Sequence, residues 1–512
     1  MRNSQKIAIA QGLITSFLLL FSLASIASAQ QTPASAKSPS PASAALPPNP
    51  EHPRTAIPGS WQQVPIPTLH KFAPQEPRRI EFANGLVVFL QEDHELPVIN
   101  GVIRIRGGAR DEPANKVGLN AMYSEVWRTG GTKTQTGDQL DDFLESHAAV
   151  VETSAGSDST FVSWNSLKDN FNQVFPVVLD VLEHPEFRED KIDLARKQFF
   201  SAISRRNDDI DEISQRESAK LAYGANNPYG RTAEYYTISA ITRQDLQNWH
   251  QRTVVPNNMI VGVYGDFDSA SMERRLRESL GTLPKGERFP ASRITFSAPK
   301  PGIYFIEKDD VNQSAISMVD LGTDRLNPDY YAIEVMNQLF GGGFSSRLVN
   351  NVRTIQGLAY AVGGGVGAAF DHPGLVQISV GTKSGSTVKA IEAVDQQIQE
   401  LIKGNVTQAE LKKAKDSSLN SFIFAFDSGD KVLNERMAYE FHGYPPDFLE
   451  RYRAGIEKVT AADVDRVAKK YIHPDRMAIL VIGNAKDFDH DLSTFGKVTS
   501  IDISIPEKKP GM

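Results

Sequence analysis

The sequence predicts an α+β fold of two homologous domains of about 210 residues, each a mainly antiparallel sheet packed with helices. The first observation behind this prediction is an internal repeat, in which segments beginning at Ile241 and Val459 share their pattern at a constant offset of 218 residues. The second observation is that long amphipathic stretches are mixed with short apolar runs at hairpin spacing. That mixture is typical of sheets covered by helices.

In each copy of the repeat, a threonine is expected to cap a helix. Thr242 and Thr460 precede amphipathic stretches, and an aspartate follows each of them by three residues, at Asp245 and Asp463. A carboxylate at that position can accept from N–H groups of the first turn and meets the positive end of the helix. A proline then ends each helix. The apolar strands that follow are expected at Met259–Tyr264 and Met477–Ile482.

Local patterns place further elements in the first domain. Thr136 and Gln139 stand in capping-box positions at the start of a helix. The expected strands are Leu86–Leu90, Val98–Arg106 and Thr160–Trp164, and the expected helices are Gln139–Ser146 and Val174–Leu182. The expected domain plan is a signal peptide at 1–29, a linker at 30–78, an N-terminal domain at 79–288, an interdomain linker at 289–302 and a C-terminal domain at 303–500.

Composition narrows the function classes. The 512 residues include 55 basic and 62 acidic side chains, for a net charge of −7. No basic tract stands out, so nucleic acid is not an expected partner. Cysteine is absent, which excludes disulfides, thiolate metal sites and a cysteine nucleophile.

The N-terminus has the pattern of an export signal. Arg2 and Lys6 precede an apolar stretch that is densest at Phe17–Phe21, and residues 27–29 have the small-x-small pattern of a signal peptidase site. We expect cleavage near Ala29 and a periplasmic protein without cysteine. A retained membrane anchor is the alternative, although polar residues interrupt the apolar stretch. Residues 30–78 are rich in Pro, Ala and Ser, as in flexible linkers, and no later stretch is apolar enough to span a membrane.

Several short phrases occur in a defined order along the chain. They are Gly118-Leu119, Gly131-Thr132-Lys133-Thr134, Asn227-Pro228-Tyr229-Gly230, Pro256-Asn257-Asn258-Met259, Val263 to Phe267, Gly341 to Leu348, and Arg353 with Gly357 to Tyr360. Their order and spacing resemble the insulinase/pitrilysin family of zinc metallopeptidases, the inverzincins. The resemblance covers nearly all of residues 79–500.

The zinc site of that family is missing from this chain. In the family, a first-domain helix carries H-x-x-E-H, whose histidines bind zinc and whose glutamate acts as the base. The matching helix here holds Ala121, Ser124 and Glu125 at those positions. The family's further glutamate ligand falls near Ser201 and Ala202, neither of which binds metals. Because catalytic zinc needs three protein ligands and a water, no metal is expected in this chain.

The second domain keeps the other part of the family's machinery. Arg353 and Tyr360 occur in the phrase R-T-I-Q-G-L-A-Y. The resemblance implies that Arg353 pairs with a substrate carbonyl or carboxylate. It implies that Tyr360 donates to the oxyanion that develops during peptide hydrolysis. The expected substrate-binding residues, in a glycine loop that permits close approach, are Gly341, Gly342, Gly343 and Phe344.

The resemblance therefore implies the non-zinc subunit of a periplasmic metallopeptidase. A homologous partner would carry H-x-x-E-H and the zinc, and this chain would supply Arg353 and Tyr360 in trans and be inactive alone. The expected substrates are peptides or unfolded polypeptides that bind as an added strand. Two alternatives stay open, a catalytically inactive peptide-binding or scaffold protein of the cell envelope and an independent peptidase with an unorthodox metal site.

Overall fold

A computed structural model describes residues 74–291 and 293–506. The expected signal peptide at 1–29 and most of the expected linker at 30–78 lie outside the described residues. No helix within the described ranges is long and apolar enough to cross a membrane. The described chain contains helices and two mixed sheets, which confirms the predicted α+β class.

The first sheet has six strands. They are β1 (Arg78–Glu81), β2 (Val87–Glu92), β3 (Val98–Arg106), β4 (Val150–Ala155), β5 (Ser159–Leu167) and β6 (Met259–Gly265). Their order is β1-β2-β6-β3-β5-β4. Neighbours are antiparallel except β2 and β6, which are parallel. Buried positions alternate along the whole of β3, as expected for a strand with two different faces.

The second sheet has seven strands. They are β7 (Gly302–Glu307), β8 (Gln313–Leu321), β9 (Thr323–Asp324), β10 (Ala361–Ala369), β11 (Pro373–Lys383), β12 (Ala478–Gly483) and β13 (Val498–Ser500). Their order is β13-β7-β12-β8-β11-β10-β9. The segment β7-β12-β8-β11-β10 has the order and strand directions of β2-β6-β3-β5-β4. The repeat in the sequence is therefore a repeat of sheet topology.

Fourteen helices are described. The first eight are α1 (Leu119–Thr129), α2 (Gly137–Ser146), α3 (Phe171–Glu183), α4 (Glu189–Arg205), α5 (Ile210–Tyr223), α6 (Tyr235–Ser239), α7 (Arg243–Thr253) and α8 (Ser269–Ser279). The others are α9 (Tyr330–Phe340), α10 (Thr387–Lys403), α11 (Gln408–Phe424), α12 (Gly429–His442), α13 (Phe448–Lys458) and α14 (Ala461–Tyr471). A π-helical turn covers Val349–Ile355.

The predicted helix caps are confirmed in both copies of the repeat. The Thr242 hydroxyl at the start of α7 accepts from the Asp245 N–H, and the Asp245 carboxylate accepts from the Thr242 N–H at 2.8 Å. Thr460 and Asp463 form the same reciprocal pair at the start of α14, at 3.0 Å. The capping box predicted before α2 is also present. Each box satisfies N–H groups that a helix start otherwise leaves without partners.

Two helices cross from one half of the chain to the sheet of the other half. Helices α5 and α12 are equivalent in the repeat, since they begin at Ile210 and Gly429, 219 residues apart. Helix α5 packs on the second sheet, where Ile213 lies in a buried cluster with residues of β7, β8 and β12. Helix α12 packs on the first sheet, where Met437 and Phe441 lie in a cluster with residues of β2 and β6.

The close approach of α12 depends on one glycine. A Cβ atom at Gly262 of β6 would lie 2.3 Å from Sδ of Met437, much closer than such atoms can come. Glycine inside a strand is typical of places where another element packs directly on the backbone. The expected interdomain linker at 289–302 has no helix or strand before Gly302 in the described residues. Phe289 at its start is buried in the first core.

Candidate functional site

Helix α1, which would carry the family's zinc site, is well formed and anchored at its start. Its N-cap is Gly118, with a φ of +100°, where a Cβ would lie 2.5 Å from the Ile238 side chain. The Glu112 carboxylate accepts from the N–H groups of Gly118 at 2.6 Å and Asn120 at 3.0 Å. Burial raises the pKa of Glu112 to about 7, although these N–H groups act to lower it. The scaffold of the helix is thus intact.

The zinc positions on this scaffold hold no metal ligand set. Ser124 is buried, and its hydroxyl donates to the Ala121 carbonyl at 3.0 Å. Glu125 is exposed, and the positions of the further ligand on α4, Ser201 and Ala202, are exposed as well. One carboxylate without an imidazole does not fit zinc, which needs three protein ligands in a catalytic site.

A cleft of about 190 Å³ lies beside Glu125, between α1, α2 and α4. Two of the carboxylates that line it form ion pairs. Asp138 pairs with Lys191 at 2.9 Å, and Asp141 pairs with Arg128. The position that would hold the metal therefore lies beside a polar cleft in which Asp138 and Asp141 are paired, while the carboxylate of Glu125 stands outside these two pairs.

Tyr360 lies directly before β10, and its ring lies against the backbone of β11. The ring is in contact with Gly381, and the side chain is 49% exposed. Burial raises the pKa of Tyr360, and the nearby carboxylates of Asp211 and Asp209 raise it further. These two carboxylates stand at the N-terminus of α5, so the crossing helix shapes the surroundings of this phenol.

Arg353 lies in the π-helical turn before β10. Its guanidinium carbon is 5.6 Å from the centre of the Phe344 ring, and Phe344 is 75% exposed. The turn that follows is closed by the Leu358 N–H, which donates to the Val352 carbonyl at 3.0 Å. The structure thus brings Arg353 to Phe344 and Tyr360 to Gly381. The functional roles of Arg353 and Tyr360 stay predictions.

The two glycine runs of the second half contact each other. A Cβ at Gly341 would lie 2.3 Å from the carbonyl oxygen of Gly364, so Gly341 allows the end of α9 to rest on β10. A Cβ at Gly342 would lie 2.9 Å from the Gln338 backbone. At Gly343, by contrast, a Cβ would meet nothing within 4 Å. Packing therefore explains why Gly341 and Gly342 lack a side chain, whereas Gly343 lies beside open space.

A partly buried cluster of charged residues joins the two halves of the chain. We call it the junction cluster; its members are Arg104, Arg110, Asp158, Asp371 and His442. The guanidinium of Arg104 donates to the Asp158 carboxylate at 3.2 Å and approaches His442 Nε2 at 3.3 Å. Arg110 donates to Asp371 at 2.7 Å. The only local signal was Arg104 at an alternating position of β3.

The junction cluster is an ion-pair network and not a metal centre. Asp158, Asp371 and His442 offer ligand atoms within 4.8 Å of one another. However, Arg104 and Arg110 already neutralise the two carboxylates, and a divalent cation would be placed among two fixed positive charges. Burial, together with Arg104, lowers the pKa of His442 to about 4. Burial acts to raise the pKa of Asp158, but Arg104 and His442 outweigh it and hold that pKa below its ordinary range.

Two family models match the chain over most of the described residues. The model described as "Insulinase (Peptidase family M16)" matches residues 87–232, and the one described as "Peptidase M16 inactive domain" matches residues 240–418. The chain belongs to the insulinase family. Within this family it is a zinc-less member, because Ala121, Ser124 and Glu125 replace the ligands and the base.

Relatives from several bacteria support this assignment. A non-peptidase homolog of Helicobacter pylori is 24% identical over 404 residues, covering 78% of this chain and 92% of the relative. An uncharacterized zinc protease of Mycobacterium leprae is 23% identical over 380 residues, covering 73% of this chain and 84% of the relative. The crystal structure of a peptidase M16 inactive domain from Pseudomonas fluorescens superposes with a TM-score of 0.72 at 25% identity, covering 80% of this chain and 98% of that one. The insulinase-family fold therefore extends over most of the described chain.

Proposed function

We propose that this chain is the non-zinc subunit of a two-chain, insulinase-family peptidase of the periplasm. It supplies Arg353 and Tyr360 to a site whose zinc and base belong to a homologous partner bearing H-x-x-E-H. One contrast within the chain carries the proposal. Helix α1 is well formed but has no ligand set, whereas Tyr360 is about half-exposed and its ring lies against Gly381. A chain with one part of a two-part site needs a partner for the other part.

Tyr360 acts in this proposal as a neutral hydrogen-bond donor. Burial and the carboxylates of Asp211 and Asp209 raise its pKa, so the hydroxyl keeps its proton at neutral pH. Negative charge develops on the carbonyl oxygen of the peptide as water attacks the carbonyl carbon. A fixed O–H group stabilises this charge more than it stabilises the neutral carbonyl of the substrate, which lowers the barrier.

Arg353 and the glycine loop bind the peptide in this proposal. The guanidinium offers paired donors that match a carbonyl or carboxylate oxygen. Phe344 is 75% exposed beside it, and Gly343 adds no side chain that would obstruct an extended backbone. Short or unfolded peptides fit such a surface, because they can extend and add a strand to a sheet edge.

Tyr360→Phe should lower the turnover number of the assembled complex by about 10–1,000-fold, the range for loss of one oxyanion donor. The phenylalanine ring keeps the contact with Gly381 and removes only the O–H group. The complex is obtained by a tagged pull-down of the mature chain from its native periplasm, and turnover is measured with fluorogenic peptides. Tyr236→Phe is the matched control, since Tyr236 is 56% exposed on α6, and its turnover should equal that of the wild type.

An unchanged turnover in Tyr360→Phe would end the proposed role of this residue. The alternative function is a scaffold or peptide-binding protein without a part in proteolysis, and the similarity to the Helicobacter pylori protein, which is described as a non-peptidase homolog, favours it. That alternative expects a pull-down without an H-x-x-E-H partner. It also expects an Arg353→Ala, Tyr360→Phe double variant to assemble and function normally.

A further inference from the structure

We infer that Gly381 is a positioning residue for Tyr360, because the missing side chain at this strand position leaves the space in which the phenol ring lies. The inference rests on the proposed function, in which the Tyr360 hydroxyl is the donor. It adds a third residue to the proposed site beside Arg353 and Tyr360, because the direction of the Tyr360 hydroxyl depends on a residue of the neighbouring strand.

The geometry of the seat is tight. The Tyr360 N–H donates to the Gly381 carbonyl at 3.0 Å, which fixes the backbone of Tyr360 against β11. A Cβ atom built on Gly381 would lie 2.4 Å from Cζ of Tyr360 and 2.5 Å from its hydroxyl oxygen. Carbon atoms do not approach this closely without bonding, so any side chain at position 381 and the present ring position exclude each other.

Backbone conformation does not explain the glycine. Gly381 is absent from the glycines with positive φ, a group that includes Gly357 at +64° and Gly364 at +144°. It lies in a regular part of β11, paired with Ala361 on one side and Ala315 on the other. An alanine can adopt this extended backbone. The space taken by the ring of Tyr360 is therefore the reason for the glycine.

The seat lies on the sheet face that the crossing helix covers. Ala315, the strand partner of Gly381, belongs to the buried cluster that contains Ile213 of α5. Asp209 and Asp211 at the start of α5 act electrostatically on the Tyr360 phenol. The ring thus lies against the flat backbone of β11, near the start of α5, and a methyl group at position 381 would displace it.

The first test is Gly381→Ala in the assembled complex. We expect kcat to fall by about 10²-fold, the effect of a misplacement of about 1 Å, while KM changes less than about twofold because Arg353 and the glycine loop are untouched. In the Tyr360→Phe background the same substitution should cause no further loss, since both changes remove one interaction. Gly385→Ala is the control, because a Cβ there meets nothing closer than 3.8 Å.

The second test measures the surroundings of the Tyr360 ring directly, in the isolated full chain. With 3-fluorotyrosine at position 360, Gly381→Ala should shift the ¹⁹F resonance and move the hydroxyl pKa toward its ordinary value, whereas Gly385→Ala should change neither. If Gly381→Ala does not fold, the double variant Gly381→Ala, Tyr360→Ala should still fold, with the Tm of Tyr360→Ala alone. In that double variant the new methyl group no longer overlaps with the tyrosine ring. An unshifted resonance in a folded Gly381→Ala chain would contradict the positioning role of Gly381. A double variant whose Tm stays below that of Tyr360→Ala would contradict it as well.

The outcomes separate this inference from the proposed function. Normal turnover in Tyr360→Phe overturns the donor role, and the ¹⁹F shift then still decides whether Gly381 seats the ring. Low turnover in Tyr360→Phe with normal turnover in Gly381→Ala overturns the positioning role alone. Low turnover in both, with no additional loss in the double variant, is the result expected.

Discussion

Asp158→Asn should lower the free energy of unfolding by about 3–5 kcal/mol, the usual cost of removing one partner of a buried ion pair. Arg104 and Asp158 are each only 14% exposed at the side chain. Without the carboxylate charge, the Arg104 guanidinium stays buried beside His442, which approaches it at 3.3 Å. Asparagine has about the same size as aspartate, so the decrease in the free energy of unfolding measures the effect of removing the carboxylate charge. Urea denaturation followed by circular dichroism measures it.

A matched control separates this effect from the general cost of losing a carboxylate. Asp138 also forms one ion pair, with Lys191 at 2.9 Å, but its side chain is 82% exposed. Surface pairs contribute little because water and salt screen them, so Asp138→Asn should leave the stability nearly unchanged. Equal losses in Asp158→Asn and Asp138→Asn would contradict a structural role for the junction cluster.

As the pH falls from 7 to 4, the free energy of unfolding of the wild type should decrease by about 3 kcal/mol more than that of His250→Gln. Burial lowers the pKa of His250 to about 3 in the folded chain, whereas an unfolded histidine titrates near 6.5. Between these values the unfolded wild type binds more protons than the folded one. Acid therefore destabilises the wild type from pH 6.5 downward, and glutamine, which can still accept from Tyr123, escapes this loss.

The difference between the two proteins is the quantity to measure, by urea denaturation at each pH. Burial raises the pKa of Glu112 to about 7, so Glu112 makes the folded chain bind the extra proton and acts in the opposite sense. It acts equally in both proteins and cancels in the difference. His473→Gln, at a partly exposed ring whose Nε2 lies 3.0 Å from the Lys470 carbonyl oxygen, is the matched histidine-to-glutamine control. A pH-independent difference for His250→Gln would contradict the prediction.

Features encoded by neighbouring residues were predictable from the sequence. The caps at Thr242 and Thr460 each depend on an aspartate three residues away, and the alternation of β3 is written within nine residues. The loss of the zinc ligands was also visible, because H-x-x-E-H is itself a local pattern on one helix face. Residues such as Ser124 and Glu125 could be compared with it position by position.

Features that depend on distant approaches were not predictable. Arg104 meets His442 across 338 positions of sequence, and no local pattern distinguishes these residues from charges on a solvated face. The contact between Gly381 and the ring of Tyr360 joins two strands, so the residues beside Gly381 do not indicate it. The buried face of α5 mixes apolar residues such as Ile213 with polar ones such as Ser214, and this pattern does not specify which sheet the helix covers.

The exchange of α5 and α12 has a consequence for the evolution and dissection of the chain. If the gene were cut between its two repeats, each product would expose an apolar strip of its sheet and carry the helix that belongs on the other product. Each half should be insoluble when produced alone, and the two halves should assemble when they are produced together. Within one chain, this exchange of helices resembles that of a domain-swapped dimer. The exchanged helices thus tie the two halves of this chain together.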